Sequence, residues 1–246
     1  MRKISIINYK GGTGKTCTVV NLAHGLALMG KKVLIIDTDP QGSAGHHLGI
    51  SYKFSLYDLL INNISPTDCI INARENLDII CSNEHVYPAE LKLSSNKDRE
   101  SVLSKKINSL NGYDYILLDC APSMNLLNQN ALLYSQEILL PVSMEYLALL
   151  GVKQLLKNIK ILNKIFTKKL NISKVIPTFF DIRNKKSKDI IESLRRVFPD
   201  YLSTPIRNSV KLSEAPGFKR TIFEYDPNSY GAEDYIKLVK EVHNDA

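Results

Sequence analysis

The sequence predicts an α/β fold, with a mostly parallel central sheet and helices on both of its faces. Three observations carry this reading. Short, continuous apolar runs rich in β-branched residues recur along the 246 residues. Patterns with helical spacing separate most of them, as the crossovers of a parallel sheet require. A glycine-rich loop joins the first apolar run to the first helical pattern, at the end of a strand where α/β sheets hold their ligands.

Taken in order, Ile4–Asn8 is the first strand and Thr16–Met29 the helix after it. Val33–Asp37, Leu77–Cys81, Tyr115–Asp119, Ile138–Val142 and Val175–Phe179 are further strands. Each is apolar without alternation, as strands buried on both faces are. Arg99–Leu110, Met124–Tyr134, Leu147–Phe166 and Lys188–Val197 are the helices between or beyond them. The stretch SNEHVYPAELKLSSNKD (82–98) is the least regular and reads as a surface connection. No internal repeat or long linker interrupts the chain, so residues 1–246 are expected to form one domain.

At 44% hydrophobic, the chain can bury a sizeable core. No apolar stretch approaches the roughly 18 residues that span a membrane, and no signal peptide precedes the first strand, so a cytoplasmic protein is expected. Cys17, Cys69, Cys81 and Cys120 show neither a CxxC pair nor zinc spacing and read as free buried thiols. The net charge of +7 is unevenly placed: residues 151–220 hold 17 Lys and Arg against 5 Asp and Glu, an excess of 12, and the remainder is net −5. Such asymmetry points to a surface that faces a polyanion, nucleic acid first.

The loop NYKGGTGKT (8–16) has the strand–loop–helix context of a phosphate-binding loop, yet Tyr9 stands where the usual pattern has its first Gly. Gly11, Gly12 and Gly14 let backbone N–H groups turn toward phosphate oxygens, with Thr13 between them and Cys17 in the helix turn beyond. The helix N-terminus adds partial positive charge. Lys15 is placed to reach the β- and γ-phosphates, and the Thr16 hydroxyl to hold Mg²⁺. Two acidic strand ends fit the same ion. Asp37 and Asp119 would act through metal-bound water, because Mg²⁺ keeps most of its hydration. Asp39, two residues beyond the strand, is placed to orient the attacking water.

KGGTGKT, DTDPQGS and DCAPS, in this order, resemble the deviant Walker A ATPases of the ParA/MinD superfamily. The resemblance implies a P-loop NTPase fold, ATP and Mg²⁺ as ligands, and ATP hydrolysis. It also implies a role for the second lysine: Lys10 would cross a homodimer interface to the partner's nucleotide. Three further segments, TFFDIRN (178–184), PIRNSVKLSEAPGF (205–218) and EYDPNSYGAEDYIKLVKEV (224–242), resemble the ParA/Soj branch of chromosome and plasmid partition proteins. That branch implies an ATP-bound sandwich dimer that binds double-stranded DNA without sequence preference at the nucleoid. It also implies weak hydrolysis stimulated by a ParB-like partner. By the same resemblance, Ile206 and Asn208 form the adenine edge. Arg183, Lys185, Lys186, Arg207, Lys211, Lys219 and Arg220 are the DNA-binding candidates, with Arg207 and Lys211 foremost. The chain departs from the family at Ile206, where Pro is usual, and at Thr13, where a small apolar residue is common.

Neighbouring branches lack their marks. The last residues, KLVKEVHNDA, do not form the amphipathic membrane helix of a MinD-type division-site regulator. The P-loop starts too early for an N-terminal helix-turn-helix extension. No residues suggest the extra substrate pocket of an amide-ligase or dethiobiotin-synthetase type of enzyme. An orphan relative that positions a protein cargo would share every motif above. Lys153, Lys157, Lys160, Lys164 and Lys168 recur at helical spacing opposite Leu155, Leu156, Ile159 and Leu162, which reads as an amphipathic helix with a solvated lysine stripe. The adjacent His46 and His47 are not expected to share a metal.

Overall fold

The computed structural model describes residues 1–245. Seven strands form one sheet: β1 (Arg2–Ile6), β2 (Val33–Asp37), β3 (Ile70–Arg74), β4 (Leu77–Ile80), β5 (Tyr115–Asp119), β6 (Glu137–Ser143) and β7 (Asn171–Thr178), in the order β3-β4-β2-β5-β1-β6-β7. All pairings are parallel except β3 with β4. The helices are α1 (Lys15–Leu28), α2 (Ser43–Leu48), α3 (Leu56–Leu60), α4 (Pro66–Cys69), α5 (Val86–Leu93), α6 (Val102–Ile107), α7 (Leu126–Tyr134), α8 (Tyr146–Ile165), α9 (Lys185–Val197), α10 (Val210–Glu214), α11 (Ile222–Tyr225) and α12 (Tyr230–Asn244).

The apolar strands are buried on both faces, and their side chains alternate between two cores. Leu34, Ile36, Ile116 and Leu118 point to one side, where α3, α6, α7, α8 and α9 cover the sheet. Val33, Ile35 and Leu117 point to the other, beneath α1, α2 and α12. Because β1, β2 and β5 are parallel, the loops that leave them emerge at one edge. The register sets Asp37 directly beside Asp119 and Ile6 beside the same residue, so two acidic strand ends flank the start of the glycine-rich loop.

The expected strands are all present, with ends shifted by a few residues. Besides the short helices α2, α3, α4, α10 and α11, which were not expected, two elements differ from expectation. The irregular stretch 82–98 contains α5, whose Val86, Ala89 and Leu93 are buried at helical spacing. Pro88 obscures that pattern in sequence yet is tolerated in a first turn. The antiparallel edge strand β3 was not expected, because Asn72 and Arg74 break its apolar run and a register shift falls between them. Arg99–Leu110 is also shorter as an α-helix: a 3₁₀ turn (Arg99–Ser101) precedes α6.

Helix α8 ends before Lys168. Thr167 adopts φ 49°, and the Lys168 ammonium turns inward to donate to the carbonyl of Leu133 at the end of α7. The expected five-lysine stripe is therefore four lysines long.

Candidate functional site

The glycine-rich loop is built from both sides. Gly12 and Gly14 have φ of 69° and 80°, in the left-handed region that a side chain strains to adopt. A Cβ added at Gly11 or Gly12 would meet no protein atom within 4 Å, so packing does not demand glycine there. The left-handed backbone does at Gly12, and the open space at Gly11 leaves room for a ligand to approach. The Thr178 hydroxyl, at the end of β7, donates to the carbonyl of Thr13 at 2.9 Å and fixes the loop's crest. This is the first residue of TFFDIRN. The Asp181 carboxylate of the same element accepts from the backbone N–H and guanidinium of Arg183, closing the turn into α9.

The loop's two lysines point to different surroundings. Lys15 is 7% exposed, and its ammonium donates to the carbonyl of Lys10 at 3.2 Å. Burial lowers its pKa, and the nearby Asp119 and Asp39 carboxylates oppose the change. The Lys10 ammonium instead turns outward and pairs with Glu145, which immediately precedes α8. Its backbone is held: the Lys10 N–H donates to Asn8 Oδ1 at 3.0 Å, and Asn8 Nδ2 donates to the carbonyl of Pro141 on β6 at 2.7 Å. Tyr9, the residue that breaks the usual pattern, also has partners. Its hydroxyl accepts from Asn158 of α8 and donates to Met124 Sδ, each at 3.1 Å. The segment 8–10 is thus fastened to α8, to β6 and to the loop after Asp119. Sequence reasoning missed Asn8, Thr178 and Glu145 in these roles. The available signal for Glu145 was its isolation: it immediately precedes 20 residues of helix without one acid.

The acidic strand ends are fully buried. Asp37 Oδ1 accepts from the N–H of Asp39 at 3.0 Å, and Oδ2 from that of Ala44 at 3.1 Å. Neither carboxylate oxygen of Asp119 has a hydrogen-bond partner. A buried carboxylate without a partner is costly unless a cation completes it. Burial pushes the Asp119 carboxyl up to about 7, and burial with the neighbouring Asp119 raises Asp37 well above the usual range. Two such oxygens beside the first turn of α1, which carries Thr16, form an oxygen-rich set suited to Mg²⁺. Among the described residues no three His, Cys, Asp or Glu side chains converge to chelate a metal by themselves. Asp39 is half-buried and accepts from the N–H of Gln41 at 3.0 Å, which leaves its second oxygen free for water.

Beside the loop lies an apolar cavity of about 300 Å³, lined by Gly14, Cys17, Phe179, Ile206, Asn208 and Tyr235 among others. Its far wall is the segment 206–208, hydrogen-bonded along β7: the Ile206 N–H to Pro177 at 2.8 Å and the Asn208 N–H to Phe180 at 2.9 Å. Ile206 is 3% exposed and packs as core, so the Pro-to-Ile departure is absorbed without opening the wall. Cys69, Cys81 and Cys120 are buried and free, whereas Cys17 is half-buried at this cavity. His46 is exposed and His47 buried, so they do not converge.

The DNA-binding candidates fall in two segments, 183–186 and 207–220, which approach each other where Phe180 pairs with Arg207. Arg183 lies in the turn before α9, and Lys185 and Lys186 open that helix. Arg207 lies before α10, Lys211 within it, and Lys219 and Arg220 between the 3₁₀ turn Ala215–Phe218 and α11. Arg207 is committed elsewhere: its guanidinium meets Asp234 Oδ1 at 2.5 Å and Glu233 Oε2 at 2.6 Å, and lies over the Tyr230 ring. Lys211 pairs with Glu214 at 3.1 Å. Either residue would have to exchange a carboxylate for a phosphate to act as expected.

Three comparisons agree with this geometry. A model described as an AAA domain matches residues 1–172. The chain is 41% identical to the sporulation initiation inhibitor protein Soj of Bacillus subtilis, covering 97% of each protein. It is 34% identical to the chromosome partitioning protein ParA of Caulobacter vibrioides, covering 98% of this chain and 94% of that one. Its fold is similar to cobyrinic acid a,c-diamide synthase of Mycobacterium smegmatis with bound ATP analogue and magnesium, at TM-score 0.85, 26% identity and coverage of 99% and 95%. No helix among the described residues is long and apolar enough to cross a membrane.

Proposed function

The chain belongs to the Soj/ParA family of P-loop ATPases, uses ATP and Mg²⁺, and, we propose, drives DNA partition through a dimer that only ATP can close. The observation that carries this reading is the pair of lysines on one loop. Lys15 turns in toward the acidic strand ends; Lys10 turns out, to the surface beside α8. In one chain the outward cation only holds Glu145, an exposed pair that it can give up. A loop that also neutralises the nucleotide of a facing copy has a use for it, since two triphosphates across an interface repel.

The roles follow from position. The N–H groups of residues 11–16 and Lys15 hold the β- and γ-phosphates. Thr16, Asp37 and Asp119 would hold Mg²⁺, Thr16 through its hydroxyl and the two aspartates through metal-bound water. Such an ion would supply positive charge to offset that of the phosphates. Asp39 orients the water that attacks the γ-phosphate. Ile206 and Asn208 face the adenine across the apolar cavity, with Cys17 on its inner wall. Lys10 leaves Glu145 to reach the partner's phosphates. The closed dimer presents a basic surface to duplex DNA, and hydrolysis, slow until a ParB-like protein stimulates it, releases the DNA. The same fold serves an amide-forming synthase, but identity near 40% over almost the whole chain to a Soj protein favours partition over amide transfer.

The test is DNA retention on two unrelated duplexes, with ATP and with ADP. Retention of both duplexes with ATP alone is expected. Equal retention in the two nucleotide states would refute the switch.

A further inference from the structure

Helix α8 carries Lys153, Lys157, Lys160 and Lys164 along its outer face, opposite the buried Val152, Leu155, Ile159 and Leu162. All four lysines are exposed, and among the described residues none is in an ion pair. No Asp or Glu occurs from Tyr146 to Phe180, a stretch with seven lysines. Lysines three and four apart on a helix repel one another, and a merely solvated helix relieves this with acids one turn away. Here the chain has 25 acids and places none on this helix. Helix α9 packs beside α8 on the same side of the sheet and adds Lys188 and Arg195, both exposed and likewise unpaired. From Tyr146 to Val197 there are 13 Lys and Arg against 3 Asp and Glu, so this segment exceeds the net charge of the entire chain.

We infer that the outer face of α8, continued by α9, is a further surface that grips duplex DNA, beside the expected C-terminal candidates other than Arg207, which the buried Asp234 holds. This rests on the DNA-partition reading above. The partner follows from charge complementarity. At 1.5 Å per residue the stripe is about 16 Å long, and it runs past about five phosphates of one strand at 3.4 Å of axis each. A lipid surface fits less well. The exposed apolar residues of α8 are Tyr146, Leu147 and Leu150 toward its start and Ile161 and Ile165 in its last two turns, with none between. A helix that lies in a membrane interface needs a continuous apolar face on its free side, and that of α8 is turned into the core.

The experiment compares three full-length proteins with ATP and Mg²⁺: wild type, a variant with Lys→Gln at 153, 157, 160 and 164, and a control with Lys→Gln at Lys32, Lys53, Lys97 and Lys240. The control lysines are exposed and unpaired, so it loses the same charge. ATP turnover without DNA and ATP-dependent dimer mass should be unchanged in both. The stripe variant should lose at least tenfold in DNA affinity at physiological salt. Its slope of log affinity against log salt should fall by roughly 0.9 per lysine engaged. The control should stay within about twofold. Equal losses in both variants, or no loss in the stripe variant, would overturn the assignment while leaving DNA binding intact. Failure of the wild type to bind DNA, with or without binding to anionic vesicles, would overturn both the assignment and the reading beneath it.

Discussion

Replacing Arg207 with Ala should damage folding before it damages DNA binding. Asp234 is 2% exposed and receives the Arg207 guanidinium, while the Arg207 backbone N–H reaches the same carboxylate at 2.9 Å. The substitution leaves that backbone bond but strands a buried charge. Breaking a buried pair from one side costs about 3–5 kcal/mol. The Arg207 side chain is 36% exposed, so solvent screens its outer edge and about 2–3 kcal/mol is the better figure. For a chain of this length each kcal/mol lowers Tm by about 2–4 °C, so a fall of about 4–12 °C is expected. Adding Asp234→Asn should recover most of it, because the stranded charge is then gone. Thermal melts of the single and double variants, followed by DNA retention at a temperature where both are folded, give the answer. A Tm within 1 °C of wild type, with DNA retention abolished, would refute the reasoning and return Arg207 to the DNA surface.

Asp39→Ala should bind ATP and form the ATP-dependent dimer yet lose turnover at least a hundredfold; turnover at the wild-type rate would remove Asp39 from the water-orienting role. Stability should also depend on pH through His47. Burial pulls its pKa down from 6.5 to about 4, and its neutral ring donates from Nε2 to the carbonyl of Arg220. The unfolded chain takes up a proton there below pH 6.5 and the folded chain does not until about 4. The contribution is therefore full above pH 6.5 and falls as pH drops toward 4, by at most about 3 kcal/mol. His47→Gln should flatten urea midpoints across that window, and an unchanged pH profile would count against this source.

Much of the architecture was legible because the central strands are buried on both faces, which leaves runs such as VLIID and YILLD with no competing reading. The phosphate loop and its acidic neighbours were legible for a related reason: strand–loop–helix order places them at one edge without knowledge of distant contacts. What escaped depends on such contacts. Glu145, Thr178 and Asn8 hold the loop from 135, 165 and 133 residues away in their pairings. The engagement of Arg207 by Asp234 is equally invisible, because charge counts see cations and not their partners. The lysine stripe was readable as a pattern, but its meaning needed the positions of the acids. The edge strand β3 and helix α5 were hidden by Asn, Arg and Pro within short elements.

The central claim is that Lys10 serves the facing subunit, and dimer mass tests it most directly. Light scattering of Lys10→Ala with ATP and Mg²⁺ should give a monomer mass, while nucleotide binding measured in parallel stays within a few-fold of wild type. A wild-type dimer mass in that variant would contradict the account.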